Sequence, residues 1–513
     1  MPAQLRRTRI IATLGPATDG AGVLASLLAE GVDVVRLNLS HGVPDDHRRR
    51  AAAVRAAADG LGREVALLFD LQGPKIRIER FQDGAVELRP GQGFTLDCAA
   101  DAPPGDASGV GVSYDGLWRD VSVGDVLLLD DGLISLEVKA IDGRRIHCRV
   151  LNGGRLSDRK GLNRQGGGLT VAALSDKDRA DIRLAAELGA DFLAVSFVKS
   201  AADVVQARAL LHEAGGAAAL VAKIERAEAI DNLDEIIEAA EVVMVARGDL
   251  GVEIGDAELP GLQKKIIRET LARSRVVITA TQMMQSMVES PMPTRAEVLD
   301  VANAVIDGTD AVMLSAETAT GRHPCKAVAA MRRVCLGAER QFEPADDLSV
   351  GTHRLARTDQ AIALAAMFLA AQIQVRALVA LTESGATAQW LSRHRSSVPI
   401  FALSRNAGAR RRMMLFRDVH PVAFDPGVSD PTHAVRAAIL HLHQRGDLDV
   451  EDRVIITNGD HTGRLGGTNT LKLLKVGAGG IAEGLADLKP SRDRRKPERP
   501  RHAPAPAADA AVE

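Results

Sequence analysis

Cysteine, aromatic residues and long apolar runs are scarce in this chain of 513 residues, whose aromatic content is 3%. The four cysteines, Cys98, Cys148, Cys325 and Cys335, show no CxxC spacing, which excludes a zinc ribbon and a disulfide framework and favours reduced thiols. No run approaches the roughly 18 apolar residues of a membrane span, and the basic segment Met1–Arg9 lacks an apolar signal core. We therefore expect a cytoplasmic protein without membrane contact.

The charge balance gives no general attraction to nucleic acid or to anionic membranes, because the net charge is only -3. Hydrophobic residues make up 46% and charged residues 26% of the chain, which is typical of a globular enzyme. The length predicts about two to four domains.

Eight apolar runs of strand length alternate with Ala- and Leu-rich segments of helical period. This alternation predicts an α/β fold with a parallel sheet, and eight such units predict a closed (β/α)8 barrel of the TIM type. The runs lie near Arg9–Leu14, Asp33–Leu37, Val65–Phe69, Asp191–Val195, Ala219–Ile224, Val242–Ala246, Arg275–Ala280 and Ala311–Leu314.

Two further regions depart from the barrel pattern. The residues between Asp70 and Asp191 contain short strands with Gly, Asp and Pro turns, which indicates a small all-β domain inserted after the third barrel strand as a lid over the mouth. From about Phe342 strands and helices resume as a C-terminal α/β domain, and the final tail has too few apolar residues to bury a core. The predicted domains are the barrel (1–73 and 173–341), the insert (74–172), the C-terminal regulatory domain (342–480) and a disordered tail (488–513).

Nearly every predicted barrel strand ends at polar or charged residues, and active sites of such barrels lie at these C-terminal ends. Lys223 and Glu225 are two positions apart and point to one face, and Asp249 follows the next strand. A fixed cation beside two carboxylates that can hold Mg²⁺ or Mn²⁺ suits phosphoryl transfer. The alternative is a structural salt bridge at the rim, but the sequence RGDLG from Arg247 adds a close backbone approach and a helix start that suit an anion.

Several other polar segments have two interpretations each. Arg36 either clamps a phosphate or carboxylate or forms a structural ion pair. Thr281 either contacts a substrate or caps the next helix. The segment Thr382–Thr387 opens a helix after a strand, where amides and hydroxyls either cradle a phosphate or only cap the helix. The motifs GxxxxGK[ST] and HExxH are missing, so neither a P-loop NTPase nor a zincin is supported.

Six segments together resemble the pyruvate kinase family, and they occur in the order found in that family. The resemblance extends from about Arg7 to Val476 and coincides with the predicted barrel, insert and C-terminal domain. The segments are Arg36–Gly42 (RLNLSHG), Asp70–Arg77 (DLQGPKIR), Val221–Ile230 (VAKIERAEAI), Val245–Glu253 (VARGDLGVE), Thr279–Met284 (TATQMM) and Met313–Thr318 (MLSAET).

The resemblance implies phosphoryl transfer from phosphoenolpyruvate to ADP, giving pyruvate and ATP in the last step of glycolysis. It implies that Glu225 and Asp249 hold Mg²⁺ or Mn²⁺, that Lys223 stabilises the moving phosphoryl group and the enolate, and that Thr281 protonates C3 or orders the water that does so. Arg36 would bind the transferring phosphate, and a second Mg²⁺ would arrive with the nucleotide. The implied substrate-binding residues are Arg36, Ser196, Lys223, Ala246, Arg247, Gly248, Asp249 and Thr281, and the implied nucleotide-binding residues are Asn38, His41, Arg77 and Lys160.

One departure from the family pattern concerns the monovalent cation. Many members bind K⁺ through groups matching Asn38, Ser40, Asp70 and the Leu71 carbonyl, and those members usually carry Glu where this chain has Lys75. An ammonium group there can supply the positive charge of K⁺, so we expect K⁺-independent activity.

The resemblance also bears on regulation and assembly. Thr382, Ser384, Gly385 and Thr387 match the phosphate loop of the family's effector site, whereas Asp460–Gly467 lacks the residues typical of fructose 1,6-bisphosphate binding. The chain is similar to bacterial members activated by AMP or sugar monophosphates. The family also suggests a homotetramer.

Two rival functions fit the sequence less well than phosphoryl transfer to ADP. The first is another Mg²⁺-dependent barrel enzyme that binds phosphoenolpyruvate or pyruvate, such as an aldolase or a dikinase domain. The inserted lid and the Asp70–Arg77 segment argue against it, since an aldolase has no ADP to cover. The second is a non-catalytic metabolite sensor. Such a protein is free to lose the catalytic residues, whereas this chain retains Arg36, Lys223, Glu225, Asp249 and Thr281. Binding without turnover would identify the sensor.

Overall fold

The computed structural model describes residues 5–341, 355, 357–394, 398–427, 430–460 and 466–484. The predicted tail, 488–513, lies outside the described residues, as do residues 342–354 at the predicted start of the C-terminal domain. Within the described ranges, no helix has the length and apolar character needed to cross a membrane.

The first part of the chain supplies three parallel strands of a barrel and their connecting helices. The elements are β1 (Arg9–Thr13), α1 (Val23–Glu30), β2 (Val34–Asn38), α2 (Pro44–Gly60) and β3 (Ala66–Asp70), with a 3₁₀ turn at Pro16–Thr18. Every residue of β1 and β3 is buried, as expected where helices cover the outside of a strand and side chains fill the barrel inside. Gly31 ends α1 with φ 112°, a conformation that glycine adopts without strain.

An all-β insert leaves the barrel at the C-terminal end of β3 and forms a six-stranded and a two-stranded sheet. Its elements are β4 (Ala85–Leu88), β5 (Gly93–Asp97), β6 (Gly109–Gly111), α3 (Leu117–Asp120), β7 (Val126–Leu129), β8 (Ile134–Asp142), β9 (Arg145–Asn152), β10 (Gly154–Ser157) and β11 (Leu162–Arg164). Alternate residues of β8, among them Ile134, Leu136 and Val138, are buried in the insert's own hydrophobic core.

The chain then returns and completes the barrel. The elements are α4 (Asp176–Glu187), β12 (Phe192–Val195), α5 (Ala201–Glu213), β13 (Ala219–Ile224), α6 (Glu228–Asp231), α7 (Leu233–Ala239), β14 (Val242–Ala246), α8 (Arg247–Ile254), α9 (Leu259–Ala272), β15 (Val276–Ala280), α10 (Arg295–Asp307), β16 (Ala311–Leu314), α11 (Ala316–Ala319) and α12 (Pro324–Glu339), with a 3₁₀ turn at Gln285–Val288. The strands close in the order β1-β16-β15-β14-β13-β12-β3-β2, and neighbouring strands are parallel. The predicted (β/α)8 barrel is confirmed.

The C-terminal region is a separate α/β sheet, which confirms that part of the predicted fold class. Its elements are α13 (Thr358–Gln372), β17 (Ala377–Leu381), α14 (Ala386–Ser392), β18 (Ile400–Ser404), α15 (Ala407–Met413), β19 (Val419–Ala423), α16 (Pro431–Gln444), β20 (Arg453–Gly459), β21 (Thr468–Val476) and β22 (Ala482–Gly484), with a 3₁₀ turn at Ala478–Gly480. The sheet order is β19-β18-β17-β20-β21-β22, in which β21 and β22 are antiparallel to their neighbours.

The C-terminal sheet packs against the end of the barrel where the strands begin. One hydrophobic cluster runs from barrel residues such as Ile11 and Ile278 to Leu415 and Phe416 of the C-terminal region. Buried ion pairs join the same surfaces, including one between Arg393 and Asp310, the residue just before β16. The opposite end of the barrel, where the strands finish and the insert is attached, therefore remains available for a site.

Candidate active site

Lys223 lies at the centre of a polar cluster at the C-terminal ends of the barrel strands. Its ammonium Nζ is 2.9 Å from Glu225 Oε1 and 3.3 Å from Asp70 Oδ1, and it donates a hydrogen bond of 2.7 Å to Ser196 Oγ. Burial lowers the pKa of Lys223, but the charges of Asp70 and Glu225 outweigh burial and leave the pKa above its ordinary value. The cluster therefore holds a fixed, protonated ammonium group at neutral pH.

Arg36 and Asp70 form a second buried contact beside Lys223. Arg36 donates from Nε to Asp70 Oδ2 at 2.6 Å and from Nη1 to Thr13 Oγ1 at 3.1 Å. Burial raises the pKa of Asp70, but Lys223 and Arg36 more than offset this and lower it. Asp70 is thus an anion shared by Lys223 and Arg36. Because Asp70 and Thr13 use only part of the Arg36 guanidinium group, its remaining N–H groups can bind another anion.

The two predicted metal ligands have different surroundings. Glu225 is 2% exposed, and its Oε2 accepts a hydrogen bond of 2.7 Å from the Phe197 amide. Burial raises the pKa of Glu225; Lys223 opposes the rise, and the like charge of Asp249 adds to it. Asp249 lies in the first turn of α8 and forms an ion pair of 2.9 Å with Lys75 Nζ. Lys75, expected at the monovalent-cation site, thus contacts a predicted metal ligand.

Thr281 has a left-handed backbone conformation with φ 65° and is held by two hydrogen bonds. Its Oγ1 donates to the Ala280 carbonyl at 2.6 Å and accepts from the Gly248 amide at 2.8 Å. Arg247 donates to the Thr281 carbonyl at 2.7 Å and to Asp300 Oδ1 at 2.7 Å. The Arg247 guanidinium group therefore supports the loop that carries Thr281.

Gly73 marks a close approach between the insert junction and the site. Its φ is 66°, and a Cβ there would lie 2.8 Å from Ser196 Cβ and 2.9 Å from Phe197 Cδ2. A side chain at this position would push against the loop that supports Glu225 and Lys223. The junction at Gly73-Pro74 is therefore packed directly on the active-site loop.

The predicted nucleotide-binding residues lie around the rim and at the insert. Asn38 Oδ1 accepts from the Ser40 amide at 3.1 Å, and Arg77 Nη1 donates to the Arg159 carbonyl at 2.9 Å. Burial lowers the pKa of His41, and the nearby charges of Arg77 and Arg36 lower it further, so His41 is neutral at pH 7. Lys160 forms an ion pair with Asp130 inside the insert, at 2.7 Å.

Comparison with known proteins identifies the family. The family model described as "Pyruvate kinase, barrel domain" matches residues 5–328, and the one described as "Pyruvate kinase, alpha/beta domain" matches residues 360–474. The chain belongs to the pyruvate kinase family. Pyruvate kinase II of Salmonella typhimurium is 51% identical over 93% of this chain and 100% of that protein, and the pyruvate kinase of Haemophilus influenzae is 50% identical over 90% of this chain and 97% of that protein.

A solved structure supports the same assignment. A pyruvate kinase from Cryptosporidium parvum superposes with a TM-score of 0.85 at 32% sequence identity, over 92% of this chain and 96% of that one. The enzyme class is accordingly that of a pyruvate kinase, a phosphotransferase.

The predicted effector loop of this pyruvate kinase lines a cavity in the C-terminal region. The Gly385 amide donates to Thr382 Oγ1 at 3.0 Å, and Thr387 Oγ1 is hydrogen-bonded to Thr468 Oγ1 at 2.7 Å. Gly385 has φ 91°, and a Cβ there would meet Met413 Cγ at 2.8 Å. The cavity is also lined by Ser384, Arg405 and Asn458, whereas residues 461–465 of the predicted late loop lie outside the described residues.

Two buried carboxylates of the pyruvate kinase barrel were not assigned roles from sequence. Glu317 accepts from the amides of Ser315 at 2.7 Å and Met284 at 3.1 Å, so it joins the end of β16 to the segment that follows Thr281. Glu253 joins α8 to the insert. Both residues lie inside segments that carry the family resemblance, and this was the one available signal. Their partners Met284, Ala227 and Asn163 are distant in sequence, so the contacts could not be predicted.

Proposed function

We propose that this enzyme transfers the phosphoryl group of phosphoenolpyruvate to ADP, giving pyruvate and ATP. The observation that best supports this proposal is the buried ammonium group of Lys223, which contacts Glu225, Asp70 and Ser196 at one barrel mouth. In this proposal the barrel (1–73 and 173–341) performs the chemistry in the cytoplasm. The insert (74–172) covers the nucleotide, and the C-terminal region (342–480) responds to a phosphorylated effector within a homotetramer.

The residues present fit a divalent metal ion. Glu225 and Asp249 are close enough for the charge of Asp249 to raise the pKa of Glu225, and this repulsion is what a bound cation would relieve. Hard oxygen ligands of this kind suit Mg²⁺ or Mn²⁺, which in phosphoryl-transfer sites takes its remaining ligands from substrate and water. The ion would supply positive charge for the substrate's carboxylate and phosphate oxygens.

The protein groups around this metal site have distinct proposed tasks. Lys223 stabilises the charge that develops on the moving phosphoryl group and on the enolate oxygen, because its ammonium group is already oriented and largely removed from water. Arg36 binds the transferring phosphate with the part of its guanidinium group not used by Asp70. Thr281, fixed between Ala280 and Gly248, lies beside the enolate and either protonates C3 or orders the water that does so.

Substrate and nucleotide binding complete the proposal. Ser196 and the backbone of Ala246, Arg247, Gly248 and Asp249 hold phosphoenolpyruvate, since the amides at the start of α8 suit an anion. Asn38, His41, Arg77 and Lys160 face ADP, which requires Lys160 to leave Asp130 when the nucleotide binds.

The purified protein should form pyruvate from phosphoenolpyruvate, ADP and Mg²⁺ in a coupled assay that follows NADH loss. Omitting either ADP or Mg²⁺ should abolish turnover, since the phosphoryl acceptor or the neutralising cation is then missing. Binding of phosphoenolpyruvate without turnover, with or without K⁺ and phosphorylated effectors, would favour the sensor. ADP-independent cleavage or condensation would favour the aldolase.

We further propose that Lys75 makes the reaction independent of K⁺. Its ammonium group contacts Asp249 at the edge of the site and so already places a positive charge at the mouth. In buffer free of sodium and potassium the enzyme should turn over, and KCl should raise the rate by less than about tenfold.

The matched variant Lys75→Glu installs the carboxylate usual in K⁺-dependent members and should make the rate rise at least about tenfold on adding KCl. Lys139→Glu, which reverses an exposed charge in the insert, controls for the change in net charge. A wild-type enzyme that needs KCl, or a Lys75→Glu variant that ignores it, would refute this role of Lys75.

The effector cavity predicts binding of a phosphate monoester, AMP or a sugar monophosphate, at Thr382, Ser384, Gly385 and Thr387. A ligand present at 100 times its dissociation constant should stabilise the protein by about 2.7 kcal/mol, seen as a higher melting temperature. The double variant Thr382→Ala, Ser384→Ala should lose this shift and keep its activity without effector. The absence of a shift with every phosphate tested would mean that the loop only caps α14.

A further inference from the structure

Glu253 is a buried carboxylate at the place where the insert returns to the barrel. It lies on α8, four residues after Asp249, so the two side chains share one side of that helix. The residue is 1% exposed. One of its carboxylate oxygens accepts a hydrogen bond from Asn163 Nδ2 at 3.3 Å, and the other accepts from the Ala227 amide at 3.0 Å.

These two hydrogen bonds join three separate parts of the molecule. Asn163 belongs to β11, the last strand of the insert, and Ala227 comes two residues after Glu225 in the loop that follows β13. The backbone carbonyl of Glu253 also accepts from the Gly166 amide at 2.9 Å. The same helix that carries Asp249 is therefore tied both to the insert and to the loop that carries Glu225.

A neighbouring carboxylate reinforces the junction. Glu228 Oε1 accepts from the Gly168 amide of the returning chain at 2.5 Å, and Arg226 Nη1 donates to the Leu169 carbonyl at 3.3 Å. Residues 162–169 thus dock on a surface made by α8 and the segment after Glu225. Glu253, on α8, contacts the segment after Glu225 through the Ala227 amide and the docked chain through Asn163.

We propose that Glu253 is a positioning residue for phosphoryl transfer, which fixes the returning strand of the insert relative to Glu225 and Asp249. The inference rests on the proposed role of those two carboxylates as metal ligands. When the junction is intact, the insert holds one position relative to Glu225 and Asp249. When the junction loosens, the affinity for the metal ion falls and the insert no longer covers the nucleotide.

The charge state of Glu253 makes this junction sensitive to pH. Burial raises the pKa of Glu253 from 4.5 to about 7, against the lowering effects of the Ala227 amide and of Arg226, while Glu228 adds to the rise. On the insert side, Arg164 follows Asn163 in the chain and is itself paired with Asp125. Because the buried carboxyl group binds its proton more tightly than an exposed one, docking is strongest at low pH, weakens as the pH rises from about 4.5 to about 7, and changes little above that value.

Truncation of Glu253 in the full chain tests the inference. In Glu253→Ala, amide hydrogen exchange of residues 162–168 should rise at least about tenfold. The dissociation constant for Mn²⁺ alone, measured by electron paramagnetic resonance, should rise about tenfold. The kcat should fall at least about tenfold, with a smaller change in the KM for phosphoenolpyruvate.

Glu339→Ala is the matched control. Glu339 is also buried, burial also raises its pKa, and it accepts hydrogen bonds from the Arg7 and Thr8 amides at the opposite end of the barrel. This control should alter exchange near residues 7 and 8 and leave Mn²⁺ affinity unchanged.

Glu253→Gln keeps a side chain of the same shape and removes the ionisation. Its Oε1 can accept from the Ala227 amide, and its Nε2 can donate to Asn163 Oδ1 once the Asn163 amide group turns over. This variant should restore the protection from exchange and the Mn²⁺ affinity. It should also lack the weakening of docking that the wild type shows between about pH 5 and pH 7. Asn163→Ala removes the partner from the insert side and should reproduce the exchange result if Glu253→Ala does not fold.

The inference would be overturned if folded Glu253→Ala showed the same hydrogen exchange and Mn²⁺ affinity as the wild type. It would also be overturned if Asn163→Ala showed the same hydrogen exchange as the wild type. A Glu253→Gln enzyme with the wild-type pH response would do the same. Failure of the wild type to form pyruvate would instead refute the proposed function, because hydrogen exchange and Mn²⁺ binding are measured without turnover.

Discussion

Replacing Lys223 by Met should lower kcat by about 10²–10³-fold or more, because it removes an oriented cation from the position where charge develops. Arg36 and Lys75 are held at other positions by their ion pairs with Asp70 and Asp249, so neither can take the place of the Lys223 ammonium group. Mn²⁺ affinity should remain or increase, because Glu225 loses its competing ammonium partner. Single-turnover kinetics and Mn²⁺ binding by electron paramagnetic resonance measure the two effects separately.

Two further variants give this experiment its controls. Lys223→Arg keeps the charge but replaces a compact ammonium group with a planar fork in a buried space, so it should also be strongly impaired. Lys264→Met removes an exposed lysine that pairs with Asp307 on the outside of the barrel and should retain wild-type kcat. A Lys223→Met enzyme within tenfold of wild-type kcat would show that Lys223 has only a structural role.

The barrel could be predicted because each strand is a short apolar run that ends at polar residues. Three predicted runs, Ala219–Ile224, Val242–Ala246 and Ala311–Leu314, coincide with β13, β14 and β16. Strand ends are harder to predict, since they depend on partners: β2 extends to Asn38 because that residue pairs with Asp70 on β3. The pairing of β10 with β4 in the insert is likewise set by contacts between segments far apart in sequence.

The directions of long side chains could not be predicted. Lys75 and Arg247 each have several rotatable bonds, so a sequence position limits where the charged group lies without fixing it. The Lys75 ammonium group contacts Asp249, and the Arg247 guanidinium group contacts backbone carbonyls around Thr281. Lys223 is different. The strand β13 directs its side chain into the barrel, where Asp70 and Glu225 fix the position of the ammonium group.

A second large effect is expected where the C-terminal sheet meets the start of the barrel strands. Arg393→Met should destabilise the protein by roughly 3–5 kcal/mol, because it leaves the Asp310 carboxylate buried without its cation. The Arg393 and Asp310 side chains are 4% and 1% exposed, and Arg393 Nη1 donates to Asp310 Oδ2 at 2.9 Å and to the Arg275 carbonyl at 2.6 Å. Thermal and urea unfolding, each followed by two probes, measure the loss.

The matched control is Arg445→Met, which breaks an ion pair of 2.8 Å whose arginine is 48% exposed. Such exposed pairs contribute about 0–1 kcal/mol, so this variant should unfold close to wild type. Asp310 also accepts hydrogen bonds from the Val277 and Arg417 amides, at the bases of β15 and of the C-terminal sheet. The double variant Arg393→Met, Asp310→Asn should therefore recover part of the lost stability, since it removes the unpaired charge and keeps an acceptor for one of those two amides. If Arg393→Met alone unfolds like Arg445→Met, the ion pair does not hold the two regions together, and the shared hydrophobic cluster is sufficient.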